Sequence, residues 1–245
     1  MSIWNKFFNR TPVRQVTHRS GAELGVFGND RMTVEQLLAE GDRLKRHALL
    51  LKASGHGKPV AWWHHAPNRD PELRPDYEPW LTIDSGAIPG DPNGAVPGLI
   101  TVFTSRDDRD GRIDPVDHAP DGIPLFGHRV EVIAPLEAVF QFGSDRVRSW
   151  LEALDWNPSF GHSKNFPDAA ITGKYMERWF RDCPLYSGDR ELFAALGGWH
   201  PFTNDEDWEE LVPERLLALT LRDSEPWVEA WATQSGELRV MQRIT

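Results

Sequence analysis

The feature that most constrains this fold is the concentration of proline in the middle of the chain. Residues 59–143 hold twelve of the nineteen prolines. Proline fixes φ and removes a backbone donor, so long helices are not expected there. The apolar runs that remain are short and rich in β-branched and aromatic residues, which favours strands. We therefore predict a loop-rich β region, with strands within 60–63, 99–105 and 128–142 and turns over 86–98.

The segments on either side of this region show helical periodicity. Thr33 and Gln36 have the spacing of a capping box, and leucines recur behind them at helical intervals. Ser144 precedes a second periodic run, and Gly197–Gly198 follows a short amphipathic one, where a left-handed C-cap is expected. Helices are predicted over residues 33–55, 144–154, 167–182 and 189–196.

The C-terminal segment is typical of an antiparallel meander. Three apolar runs lie within residues 215–244, and Gln234-Ser235-Gly236 joins the last two. Alternation places Trp227, Glu229 and Trp231 on one face of a strand. Blocks of helices beside antiparallel strands predict an α+β fold: one domain with a central, mainly antiparallel sheet, helices packed on it and a Pro/Gly-rich loop region. Residues 1–32 are predicted to be a tail, and a subdomain break near residue 143 is the alternative.

Charge is unevenly distributed along the chain. The net charge is −10, but residues 1–60 carry ten Lys/Arg and five Asp/Glu, while residues 61–245 carry seventeen and thirty-two. An acidic body repels nucleic acid and favours solubility or a basic partner. A single cysteine, Cys183, and the lack of any apolar run of signal or membrane length predict a soluble cytoplasmic protein. The excess of Arg over Lys suggests a bacterial source.

No sequence motif names a reaction. The sequence contains no phosphate-binding glycine loop, no dinucleotide fingerprint, no paired-histidine zinc helix and no nucleophile elbow. His64 and His65 end a predicted strand and would point to opposite faces, so one ion is not expected to bind both. The protein is therefore expected to have no cofactor, and the sequence leans against an enzyme.

The richest polar cluster lies in the loop at 105–128. Converging carboxylates and histidines suit a divalent cation, although Arg106, Arg109 and Arg112 alternate with the acids and favour a charge-paired, solvated loop instead. A metal site is the minority hypothesis. Its candidate ligands are Asp108, Asp110, Asp114, Asp117, His118 and His128.

A second dense stretch, residues 196–211, combines aromatic rings with acids. Helix capping and the helix dipole account for part of it, but six acids from Asp205 to Glu214 have no base among them. Aromatic anchors within an acidic surface suit a basic protein partner, and they equally suit a cationic or sugar-like ligand stacked on an indole ring. The candidate partner-binding residues are Trp199, Phe202, Asp205, Glu206, Asp207, Trp208, Glu209 and Glu210.

Three functions fit these observations. The first is a cytosolic protein-binding module of the immunity or antitoxin type, which holds a basic partner on the acidic, Trp-bearing surface. The second is a metal-dependent hydrolase with its site in the 105–128 loop. The third is a structural subunit of an assembly. The sequence does not indicate an oligomeric state.

Overall fold

In the computed structural model, ten strands form one antiparallel sheet. The structure describes residues 32–64, 77–90, 98–105, 111–118, 121–153, 169–186, 189, 191–200, 211–221 and 227–243. Its strands are β1 (Arg46–Lys52), β2 (Ala61–Trp63), β3 (Tyr77–Asp84), β4 (Leu99–Ser105), β5 (Gly111–Val116), β6 (Ile123–Val132), β7 (Leu192–Gly197), β8 (Arg215–Thr220), β9 (Trp227–Ala232) and β10 (Leu238–Arg243). Their order is β10-β9-β8-β7-β1-β6-β2-β3-β4-β5, and every neighbouring pair is antiparallel.

The sheet curls until its two edges meet, which makes it a nearly closed barrel. Leu81 and Val102 of β3 and β4 belong to the same apolar cluster as Ala218 and Ala230 of β8 and β9, although these strands lie far apart in the sheet order. All four side chains are 0% exposed, so side chains fill this part of the interior. Edge strand β10 packs against β5 and β4, where the Gln242 side chain donates to the Ser105 carbonyl at 2.9 Å.

Four helices lie among the described residues. They are α1 (Val34–Arg43), α2 (Leu136–Phe142), α3 (Asp145–Ala153) and α4 (Ala169–Asp182). Their apolar side chains form a second cluster with the outer face of the strands around β1 and β7. Tyr175 and Trp179 of α4 are fully buried and donate to the backbone carbonyls of Ala134 and Ile133 just after β6. These bonds fix α4 against the outer face of the sheet.

The predicted α+β class is wrong. The sheet dominates the molecule, and its strands enclose most of a core among themselves, whereas the prediction had helices packed on an open central sheet. The physical reason is that the proline-rich middle does not form an irregular loop region. It supplies five regular strands, β2 to β6, which bring the sheet round to its other edge. Pro79 coincides with a register shift in β3, and Pro115 lies in edge strand β5, where a missing donor costs no interior ladder bond.

One predicted helix is partly a strand, and another is mostly a strand. The first predicted helix ends at Arg43, and residues 46–52 form β1, between β6 and β7. Residues 189–196 were predicted as a helix, but Leu192–Gly197 forms β7, with all six residues buried. A strand covered on both faces reads as a continuous apolar run, which periodicity does not distinguish from a buried helix. The opposite error occurs at Leu136–Phe142, where a predicted strand is α2.

Several local predictions are confirmed. The capping box of α1 is present, since Thr33 and Gln36 each bond the other's backbone N–H. The C-terminal meander is β8–β9–β10. Gly197 and Gly198 have φ of 68° and 83°, as a left-handed turn requires, but they end a strand and not a helix. Cys183, the single cysteine, is buried and forms no disulfide.

Backbone contacts divide the chain after Arg31, and all the described residues belong to the unit that begins at Met32. Residues 1–31 of the predicted tail lie outside the described residues. None of the described helices is long and apolar enough to cross a membrane.

Candidate functional site

The chain leaves the sheet at the end of β7 through two buried residues, Trp199 and His200. Trp199 is 3% exposed, and its indole N–H donates to the Leu44 carbonyl at 2.8 Å. The guanidinium carbon of Arg46 lies 3.3 Å from the centre of the Trp199 ring. At this distance only parallel stacking keeps the guanidinium nitrogens clear of the ring. Trp199 is therefore a core residue in this structure and not an exposed anchor.

Arg46 is a partly buried cation in unusual surroundings. Burial, and to a smaller extent repulsion from Arg215 at the start of β8, together lower the pKa of its guanidinium to about 10. A group with this pKa is still positively charged near neutral pH. Arg46 therefore carries a full charge, which the Trp199 ring stabilises on one face.

Behind this pair lies a buried polar cluster on β9. His200 Nε2 and Glu229 Oε1 are 2.8 Å apart, and the indole N–H of Trp231 donates to Glu229 Oε2 at 3.1 Å. Glu229 is 0% exposed and His200 4% exposed. The His200 and Trp231 rings are in contact, with centres 5.3 Å apart. A carboxylate this deep is stable only because both its oxygens accept hydrogen bonds.

The far end of the acidic stretch is also buried. The chain is described again from Leu211, and Leu211 and Val212 are 2% and 1% exposed within the core that holds Trp199. The predicted partner-binding residues Phe202, Asp205, Glu206, Asp207, Trp208, Glu209 and Glu210 lie outside the described residues. Both described flanks of the acidic stretch are thus buried, and the flank at Trp199 and His200 contacts Arg46 and Glu229.

A second polar cluster crosses β2, β3 and β4 on the outer face of the sheet. His64 Nε2 lies 2.8 Å from Thr82 Oγ1, which lies 2.7 Å from Thr101 Oγ1. The His64 ring also bonds the backbone of Asp121. With the proton on Nδ1, Nε2 can accept from the Thr82 hydroxyl, and Thr82 can accept from Thr101. All three side chains are buried, so this chain of bonds satisfies polar groups and is closed to solvent.

The His64 cluster predicts a specific pH dependence of stability. Burial lowers the pKa of His64 below its ordinary value of 6.5, against a smaller opposing effect of the Asp121 bond. His64 therefore binds a proton at a higher pH in the unfolded chain than in the folded protein. The His64 contribution is complete above pH 6.5 and is lost progressively as the pH falls below it.

Urea unfolding of the wild type and of His64→Gln between pH 8 and pH 5 measures this effect. The difference between the two free energies of unfolding should shrink as the pH falls below 6.5. A difference that is constant with pH, or that grows on acidification, would contradict a neutral, buried His64.

The described candidates for a metal site are not brought together. Asp114 lies on β5 and pairs with Arg112 at 3.0 Å, while Asp117 and His118 are exposed just after that strand. His128 is exposed on β6, with β2, β3 and β4 between it and β5. Asp108 and Asp110 lie outside the described residues. Within the described part of the chain, no three His, Cys, Asp or Glu side chains are grouped as metal ligands.

Sequence reasoning missed Arg46 and did not identify Glu229 as part of a site. Arg46 falls within the first predicted helix, and the structure has β1 there instead. For Glu229 a signal existed: alternation placed its side chain with Trp227 and Trp231 on one face, and an acid between two tryptophans on a buried strand needs hydrogen-bond partners. His200, its partner, comes from a distant segment that one sequence does not connect to it.

The chain was compared with protein families, curated proteins and solved structures, and nothing matched.

Proposed function

We propose that this protein is a cytoplasmic bacterial binding module, of the immunity or antitoxin type, that holds a basic protein partner through the acidic stretch between β7 and β8. Within the stretch, Asp205, Glu206, Asp207, Glu209 and Glu210 supply the charge, and Phe202 and Trp208 are the aromatic anchors. Trp199 acts from within the core as a support.

One observation carries this proposal: both flanks of the acidic stretch are buried. Trp199 and His200 hold one flank, and Leu211 and Val212 hold the other. The chain therefore enters and leaves the stretch at fixed points of the core. Binding then costs the stretch less conformational entropy than it would cost a free tail, and the charge steers the approach of the partner.

The proposal predicts salt-sensitive capture that depends on these five acids. Immobilised full-length protein is mixed with native lysate at low salt, and bound proteins are quantified as the salt is raised. A partner of net positive charge should bind the wild type and be released as salt screens the contact. Neutralising the five acids to Asn or Gln should reduce its retention by roughly tenfold or more, since each exposed pair contributes about 0.2–1 kcal/mol.

A matched variant separates this surface from overall charge. It removes the same number of charges at exposed described positions: Asp42, Asp117, Glu152, Glu177 and Glu237. The matched variant should keep the partner. Equal loss from both variants would mean that net charge alone drives capture. The absence of any salt-sensitive basic partner at low ionic strength would contradict the proposal outright.

A further inference from the structure

Arg46 is charged and partly buried, and no protein group neutralises it within the described part of the chain. Burial and Arg215 are the influences on its guanidinium, and both disfavour the charged form. By contrast, Arg43, on the neighbouring helix, pairs with Glu40 at 2.9 Å. A desolvated cation without a counter-charge costs several kcal/mol unless something pairs with it.

The orientation of Arg46 leaves its hydrogen-bonding edge free. One face of the guanidinium lies on the Trp199 ring at 3.3 Å. In such a stack the N–H groups point sideways, in the plane of the guanidinium, where they suit two oxygens of one carboxylate or phosphate. The stack itself is rigid, because the Trp199 N–H is bonded to Leu44 and its ring contacts Phe142.

We propose that Arg46, stacked on Trp199 and with Arg215 nearby, binds a small oxyanion, a phosphate or a carboxylate, at the end of strands β1 and β8. Arg46 supplies the positive charge, and the edge of its guanidinium supplies paired donors. Arg46 is neither fully buried nor fully exposed, so an anion can reach it from solvent. This inference does not rest on the partner surface proposed above, although Trp199 lies at one flank of that stretch.

Thermal unfolding in the presence of inorganic phosphate, acetate or chloride at equal ionic strength tests the site. Either phosphate or acetate should raise the Tm of the wild type saturably, by about 2–4 °C near saturation, relative to chloride. A shift with phosphate alone assigns a phosphate ligand, and a shift with acetate alone assigns a carboxylate. No saturable shift with either anion would overturn the proposal.

Three substitutions locate the effect. Arg46→Met should abolish the anion-dependent shift, and Arg46→Lys, which keeps the charge but not the paired donors, should weaken anion binding several-fold. Arg239→Met, at an exposed arginine on β10, removes the same charge and should leave the shift unchanged. A shift that persists in Arg46→Met, or that disappears equally in Arg239→Met, would place the anion elsewhere.

Discussion

Replacing Glu229 with Ala should destabilise the folded protein by about 3–5 kcal/mol, because the change leaves a cavity and removes a hydrogen-bond partner of two buried rings. The side chain is fully buried, and its two oxygens contact His200 and Trp231. Alanine would remove the hydrogen bonds that Glu229 makes with His200 Nε2 and Trp231 Nε1. It would also leave a cavity near the end of β7. Chemical denaturation with a tryptophan fluorescence readout measures the change, since the cluster includes Trp231.

Glu229→Gln is the matched control. Glutamine has nearly the same volume, its amide oxygen can still accept from Trp231, and its amide group can keep a hydrogen bond with His200 Nε2. We expect it to cost less than half as much as alanine. Equal losses for the two variants would indicate that the charge is what matters. A loss below about 1 kcal/mol for alanine would show that the cluster is not buried as described.

Replacing Gly111 with Ala should cost about 3 kcal/mol or more, because the added methyl group has no room where the sheet closes. An added Cβ at this first residue of β5 would overlap the backbone carbonyl of Phe103 and lie 2.6 Å from Cγ1 of Val240 on β10. A backbone carbonyl cannot relieve the overlap by changing rotamer, as a side chain can, so the strands themselves must shift. Urea denaturation reports the loss.

Gly173→Ala, in helix α4, makes the same chemical change in open space, since no other group lies within 4 Å of an added Cβ there. It should be neutral or stabilising by up to about 1 kcal/mol. Trimming the β10 side in Gly111→Ala/Val240→Ala should recover part of the loss. If Val240→Ala only increases the loss in free energy of unfolding caused by Gly111→Ala, β5 and β10 are not in contact.

Local signals in the sequence correctly predicted the helices and strands whose apolar residues recur with a single period. The capping box placed the start of α1, and the alternation of β9 placed Glu229 and Trp231 on one face. The same signals failed for β1 and β7, because strands covered on both sides have no alternation to read. Closure of the sheet depends on contacts such as that of Gly111 with Val240, more than a hundred residues apart, and no local pattern encodes these.

The candidate site, too, could be predicted only in part from the sequence. The density of acids and aromatics drew attention to the stretch after β7, and its flanks do lie beside a charged, buried cluster. Arg46 and Glu229 come from strands that meet this stretch only in the folded chain, so their roles depend on sheet order. The acids of the 105–128 loop were conspicuous in sequence, yet its described members Asp114 and His128 lie on strands separated by three others.

The nearly closed sheet is the central claim about this fold, and one NMR measurement tests it directly. In methyl-labelled protein, the account predicts a strong NOE between a γ-methyl group of Val240 and an α-proton of Gly111, since an added Cβ at Gly111 would lie only 2.6 Å from that methyl carbon. Neighbouring strands already joined by the ladder, such as β9 and β10, provide internal reference NOEs. If those reference NOEs are present and the Val240–Gly111 NOE is missing, the sheet is open and the account is wrong.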